Sequence, residues 1–196
     1  HHRIKNNLQM IISLMELQKY RLFQNGEYVK AEHISDTWDT LVKQVKSIAS
    51  IHDMLSREEE TDSIIGVDVI IRAIRDFYAG EADIQTEIER CIIPHNRATS
   101  LALLVNELIS NGVKHAARED KRLAIRLSLK RCGESYSFIY HDNGPGFPEG
   151  FEPWKSKGIG MTIMQSIVVE EFEGGFCCGN RSGALIEITI PYWNFV

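Results

Sequence analysis

Glu107, Asn111 and Lys114 recur at spacings of four and three in L-L-V-N-E-L-I-S-N-G-V-K-H-A, residues 103–116 of the chain. On a helix this spacing stacks a carboxylate, an amide oxygen and a cation in one column. Such a column suits a phosphate carrying magnesium. That ion takes a few protein oxygens, completes its shell with phosphate oxygens and water, and needs no more than one well-placed Asn or acid. A solvated helix flank accounts for the same three residues, so the column alone leaves both alternatives open. Two later segments offer matching chemistry. Tyr140 is followed by H-D-N-G-P-G-F. Asp142 there, at a strand end and backed by Gly144 and Gly146, suits the exocyclic amine of adenine, because glycines let a flat ring approach the backbone. The same residues also make a competent turn. G-I-G-M at residues 158–161, with Gly158 and Gly160, opens a helix after a stretch rich in Pro and Gly. Unobstructed backbone N–H groups at a helix start bind anions such as phosphate, although a plain helix start has the same pattern.

The elements that must position these residues show as periodicities. Leu101, Leu104, Val105, Leu108 and Gly112 have the spacing of a buried helix face, so the column sits on a helix lying on a core. Around it the pattern mixes helix and strand. Val67, Ile70, Ile71, Ile74 and Phe77 are helical in spacing, with Asp68 placed to cap or support the first turn. Ile84, Thr86 and Ile88 alternate as in a half-buried strand, and Pro94 ends the run Cys91-Ile92-Ile93. Leu123, Ile125, Leu127 and Leu129 alternate cleanly, as do Tyr136, Phe138 and Tyr140. Residues 159–172 predict a helix, Gly174-Gly175 opens a strand, and residues 184–191 form the last one. Hairpin-linked strands with helices on one face predict an α+β sandwich.

Upstream, Ile4, Leu8, Ile11, Met15 and Leu22 form a heptad seam interrupted at Gln18. Asn25-Gly26 breaks it, and Ile34, Trp38, Leu41, Val45, Ile48, His52 and Leu55 form a second. Two long helices joined by a short turn lie antiparallel. Ile12, Leu14, Leu17, Val42 and Ile51 widen the apolar stripe beyond a two-helix seam, which predicts pairing with a second hairpin in a four-helix bundle. Extending the first seam back reaches His1. His2 then lies about 100° off the seam, facing solvent, with Asn6 one turn above it. The acidic run S-R-E-E-E-T-D-S at residues 56–63 marks the boundary, so residues 1–60 are expected as the hairpin and 61–196 as the α+β domain.

Composition is ordinary for a globular protein at 43% apolar and 25% charged, and a net charge of −5 leaves no electrostatic footprint for nucleic acid. No apolar run approaches the ~18 residues of a membrane-spanning helix. Cys91, Cys132, Cys177 and Cys178 have no zinc-ligand spacing and make a poor disulfide framework, which points to a reduced, cytoplasmic compartment. A chain opening on His1-His2 reads as a fragment lacking its upstream part.

Taken in order, Asn111, then Asp142 with Gly144 and Gly146, then Gly158 and Gly160 resemble the nucleotide-binding boxes of the GHKL ATPase and kinase superfamily. H-H-R-I-K-N-N-L-Q at the start, with I-H-D-M-L at residues 51–55, looks like the phosphoacceptor domain of bacterial sensor histidine kinases, in the subgroup sister to the HWE kinases. The resemblance covers essentially the whole chain. It implies a dimerisation and phosphotransfer hairpin followed by a Bergerat-fold domain that binds ATP with Mg2+. His2 would accept the phosphoryl group, with Asn6 serving the reverse, phosphatase direction. Asn111 would hold magnesium, Lys114 and His115 would face the phosphates, and Asp142 would read adenine. Glu107 takes the position of the family's carboxylate at the start of the Asn motif, without deciding whether it acts as a base. The implied partners are a response-regulator receiver domain, a second copy of the chain in a homodimer, and an upstream sensor domain. Departures are the absence of W-x-E, a short region between the glycine boxes that keeps Phe147 and Phe151, and Gly183-Ala184 where many relatives carry Gly-Thr. Two rivals use the same residues differently: a GHKL ATPase or serine kinase, which has no need of His2 and Asn6, and a non-catalytic dimeric scaffold, which would lack central box residues.

Overall fold

The computed structural model describes residues 64–117, 120–153 and 159–196. The chain falls into two compact units, His1–Ser50 and Ile51–Val196, and all of the described residues belong to the second. The expected hairpin, with His2 and Asn6, lies outside the described residues, as does Gly158.

Strand β1 (Ile64–Gly66) pairs antiparallel with β3 (Ile92–Pro94) in a small ribbon. Helix α1 (Val67–Phe77) starts directly from β1, and Val67, Ile70, Ile71 and Ile74 bury one stripe as their spacing predicts. Asp68 makes no cap; it bonds Arg72 one turn on at 3.1 Å, and its charge in the first turn favours the helix dipole. Pro94 closes β3 and precedes α2 (His95–His115), the central helix of 21 residues.

The main sheet has the order β2-β4-β5-β7-β6, with β2 (Asp83–Ile88), β4 (Ala124–Cys132), β5 (Ser135–Asp142), β6 (Gly175–Asn180) and β7 (Ala184–Pro191). Only β2 and β4 run parallel; the other neighbours are antiparallel. A parallel pair needs a crossover, and the intervening segment carries α2. Register puts Leu127, Tyr140 and Ile186 in one cross-strand row and Leu129, Phe138 and Ile188 in the next, all buried. Their alternates, such as Arg126, Lys130 and Glu187, are exposed. One face of the sheet is therefore core and the other meets water, which is the α+β sandwich the alternation predicts.

Helices α1 and α3 (Ile159–Gln165) pack against α2. With the sheet on a further side, every residue of α2 at positions 101–109 is buried. A helix enclosed in this way needs apolar residues all round rather than in one stripe. The single helix expected over residues 159–172 instead changes pitch, passing from α3 into a π-helical segment, Ser166–Glu171. The Phe172 N–H donates to the Ile167 carbonyl at 2.9 Å, and this five-residue step brings Ile167 and Phe172 to the interior together. After β7 a 3-10 turn, Tyr192–Asn194, returns to this region, where the buried Asn194 amide donates to the carbonyls of Phe172 and Pro191.

Candidate functional site

Asp142, the last residue of β5, points to the buried face of the sheet and is 3% exposed. Its Oδ1 accepts from the backbone N–H groups of Gly144 at 2.8 Å and Ala184 at 3.0 Å, and its Oδ2 accepts from the Tyr140 hydroxyl at 3.0 Å. A buried carboxylate held by three donors is fixed in plane and direction. Burial first, and then the Asp142 charge beside it, push the Tyr140 phenol well above its ordinary value, so it donates without ionising.

The loop after Asp142 is pinned on both sides. Asn143 accepts from the Ala124 N–H and donates to the Arg122 carbonyl, tying the loop to the start of β4. Gly144 lies against the C-terminal end of α2, where an added Cβ would stand 2.7 Å from Ala116 Cα. Gly146 has φ +80°, and the Asn180 amide from β6 accepts from the Phe147 N–H at 2.7 Å and donates to the Phe147 carbonyl at 2.9 Å. Phe147 and Phe151 then stack with ring centroids 4.6 Å apart.

The column on α2 runs from interior to surface. Glu107 is 1% exposed, Asn111 is half-buried and Lys114 is exposed. A solvated flank therefore does not describe it, since its first member is enclosed by the packing around α2. The first turn of α3 meets this column. A Cβ built on Gly160 would stand 2.7 Å from Glu107 Oε2 and 3.4 Å from both Asn111 Oδ1 and Nδ2. Glycine alone leaves the backbone of α3 open to these groups. His115, beside Lys114 in the last turn, has its pKa lowered by burial and then by the Lys114 cation, so the imidazole is neutral at neutral pH.

Two places emerge. One is the loop from Asp142 to Phe147, where a buried acceptor faces the C-terminal end of α2. The other is the approach of Gly160 to Glu107 and Asn111. Helix α2 connects them, because Gly144 touches its end and Gly160 its middle. A carboxylate oxygen and an amide oxygen converging on bare backbone are a hard-oxygen donor set that fits magnesium, provided phosphate oxygens and water complete the shell. Among the described residues there is no cluster of three or more His, Cys, Asp or Glu placed to hold a metal.

Several participants escape sequence reasoning. Tyr140 presents itself only as one inward member of an alternating strand. Asn180 closes on Phe147 across 33 residues, for which one sequence contains no signal. Ala184 reads as a lost hydroxyl, whereas its backbone N–H holds Asp142.

A family described as "Histidine kinase-, DNA gyrase B-, and HSP90-like ATPase" matches residues 96–194, and one described as "Histidine kinase" matches residues 1–79. The chain is 32% identical over 202 residues to sensor histidine kinase PdtaS of Mycobacterium tuberculosis, covering 97% of this chain and 38% of that protein. It is 30% identical over 181 residues to PdtaS of Mycolicibacterium smegmatis, covering 89% and 34%. The chain thus spans about a third of the length of these relatives. In fold it is similar to the histidine kinase domain of the Erythrobacter litoralis EL346 blue-light activated histidine kinase, with a TM-score of 0.64 at 15% identity over 95% of this chain and 94% of that one.

Proposed function

The chain belongs to the histidine kinase-, DNA gyrase B- and HSP90-like ATPase family, and on that premise we propose that it is the catalytic core of a sensor histidine kinase. In this proposal it binds ATP with magnesium, phosphorylates its own His2 and passes the phosphoryl group to an aspartate of a response regulator, working as a dimer through its first 60 residues. The observation that carries the proposal is the approach of Gly160 to Glu107 and Asn111 on α2, the helix whose end meets the loop that follows the buried Asp142.

Asp142 takes the exocyclic amine of adenine on the one acceptor position its protein donors leave. Guanine, which turns a carbonyl oxygen to that place, meets repulsion. Asn111 and Glu107 supply the protein oxygens for magnesium, which when bound neutralises charge on the phosphates. The backbone at Gly158 and Gly160 donates to phosphate oxygens, and Lys114 and His115 face them from the end of α2. An imidazole nitrogen of His2 forms the new bond to the γ-phosphorus as the bond to the bridging oxygen breaks and ADP leaves. Neutral imidazole is a competent nucleophile at neutral pH, so positioning and charge neutralisation supply most of the catalysis and no strong base is demanded. Glu107, buried beside Asn111, orients the metal end of the site.

Incubation with γ-labelled ATP tests the proposal. Label retained in alkali, lost in acid and absent from His2→Gln is expected of a phosphohistidine. Acid-stable label, or none together with steady ATP hydrolysis, sinks the kinase assignment in favour of another use of the pocket.

A further inference from the structure

Resting on Asp142 as the adenine-reading carboxylate, we propose that Tyr140 is a positioning residue for nucleotide recognition: its hydroxyl, seated in a notch left open by Gly112 of α2, sets the carboxylate oxygen that receives the base.

The two oxygens of Asp142 are held differently. Oδ1 accepts from two backbone N–H groups, Gly144 and Ala184, which use both of its lone-pair directions. Oδ2 accepts from the Tyr140 hydroxyl and keeps one direction for an incoming donor. The base therefore meets the oxygen that Tyr140 holds. The backbone donors fix one end of the carboxylate, and only the phenol fixes its other end and hence its plane.

The hydroxyl reaches that position through a gap in α2. A methyl group on residue 112 would overlap the Tyr140 hydroxyl, and would stand 3.3 Å from Tyr140 Cζ and 3.2 Å from Ile125 Cδ1. Glycine is among the least favourable residues in a helix, and Gly112 stands in the last turn of α2 rather than beyond its end. A phenylalanine at 140 would fill the same core, with no notch needed and no hydroxyl to bury. Gly112 and Tyr140 thus form a matched pair whose outcome is one hydrogen bond on Asp142. Tyr140 is 2% exposed, and burial together with the adjacent Asp142 charge keeps its proton in place, so the hydroxyl donates throughout the ordinary pH range.

The test uses the 196-residue chain and the variants Tyr140→Phe, Gly112→Ala, the double variant and Asp142→Asn. Binding of ATP and of inorganic triphosphate is measured by calorimetry, with KM and kcat for autophosphorylation and the melting temperature of each variant. Tyr140→Phe is expected to weaken ATP binding about tenfold, the size of a hydrogen bond to a charged group. KM should rise in parallel, while kcat at saturation and triphosphate binding stay at wild-type values. A residue acting only through core packing would not divide its effect in this way. Gly112→Ala should lose ATP affinity similarly and lower the melting temperature. In the double variant the methyl group enters space that the hydroxyl has left, so melting should recover relative to Gly112→Ala while affinity stays at the Tyr140→Phe level. Wild-type ATP affinity in Tyr140→Phe, or a loss shared equally by triphosphate, overturns the inference. If Asp142→Asn weakens ATP binding and Tyr140→Phe does not, the positioning role alone fails. Wild-type binding in both removes the adenine assignment as well.

Discussion

Asp142 cannot respond to a ligand by rearranging, because its three protein donors come from the strand's own end, the following loop and the start of β7. Substitution by asparagine keeps the shape and reverses part of the chemistry. One amide end must then present N–H groups either to the N–H groups of Gly144 and Ala184 or to the base. Asp142→Asn is expected to weaken ATP binding by at least about tenfold, from the loss of hydrogen bonds to a charged acceptor. Calorimetry reads this directly, and an unchanged dissociation constant would exclude Asp142 from the base site. His115 supports a second prediction. Burial and the Lys114 cation lower its pKa in the free protein. A polyphosphate brought alongside opposes both effects and raises it. A group whose pKa rises on binding takes up a proton as the ligand binds, so affinity grows as pH falls, in the window between the depressed free value, below about 6.5, and the raised bound value. Wild type should therefore gain a few-fold more ATP affinity between about pH 8 and about pH 6 than His115→Gln does. The nucleotide's own titration is common to both proteins, so parallel curves would remove His115 from the phosphate site.

Helix α2 is the element on which the candidate site depends, and its enclosure explains what could be anticipated. The strands were legible because one face of the sheet is core and the other is water, so Leu127, Leu129, Phe138 and Tyr140 alternate with polar neighbours. The register of β7 against β5 and the parallel pairing of β2 with β4 were not, since alternation identifies a strand without naming its neighbour. The depth of Glu107 was hidden for a related reason. Spacing places it beside Asn111, but only the packing of α1 and α3 on α2 turns that flank inward. The π-helical step after α3 had no signal either, because Ile167 and Val168 suit an α-helix equally well. Gly160 yields the prediction that belongs here. Replacing glycine by alanine in a helix favours it by up to about 1 kcal/mol. The new methyl group would stand 2.7 Å from Glu107 Oε2, in a space where that carboxylate has little room to withdraw. Gly160→Ala is therefore expected to shift the melting temperature by only a few degrees in either direction, about what 1 kcal/mol does, while ATP-dependent labelling falls by about tenfold or more. Scanning calorimetry and an initial-rate assay separate the two effects. Intact activity would show that the approach of α3 to Glu107 has no part in the chemistry.

At the scale of the whole molecule the proposed reaction joins two units of the chain, with the nucleotide residues in the second and the acceptor at its very start. The matched families divide in the same order, a histidine kinase family over residues 1–79 and the ATPase family over residues 96–194. Two adjacent histidines, His1 and His2, compete for the acceptor role. On the proposed reading, the heptad spacing through Ile4, Leu8 and Ile11 would put His1 on the seam and His2 on the side facing solvent. A phosphoryl group carries a charge of roughly −2, and burying it in a helical seam would strip its hydration without a compensating partner. On that reading His2 would avoid the cost, and Asn6, four residues on in the sequence, has an amide that would hold a water or the phosphoryl oxygens during the reverse reaction. His2→Gln should then abolish labelling, and His1→Gln should lower it without abolishing it. Asn6→Ala should leave autophosphorylation in place while slowing dephosphorylation of the response regulator. The comparison is made with γ-labelled ATP on the 196-residue form of the protein. Labelling of His2→Gln at the wild-type level in that form would refute the seam assignment and the family alignment together, and would move the acceptor to His1.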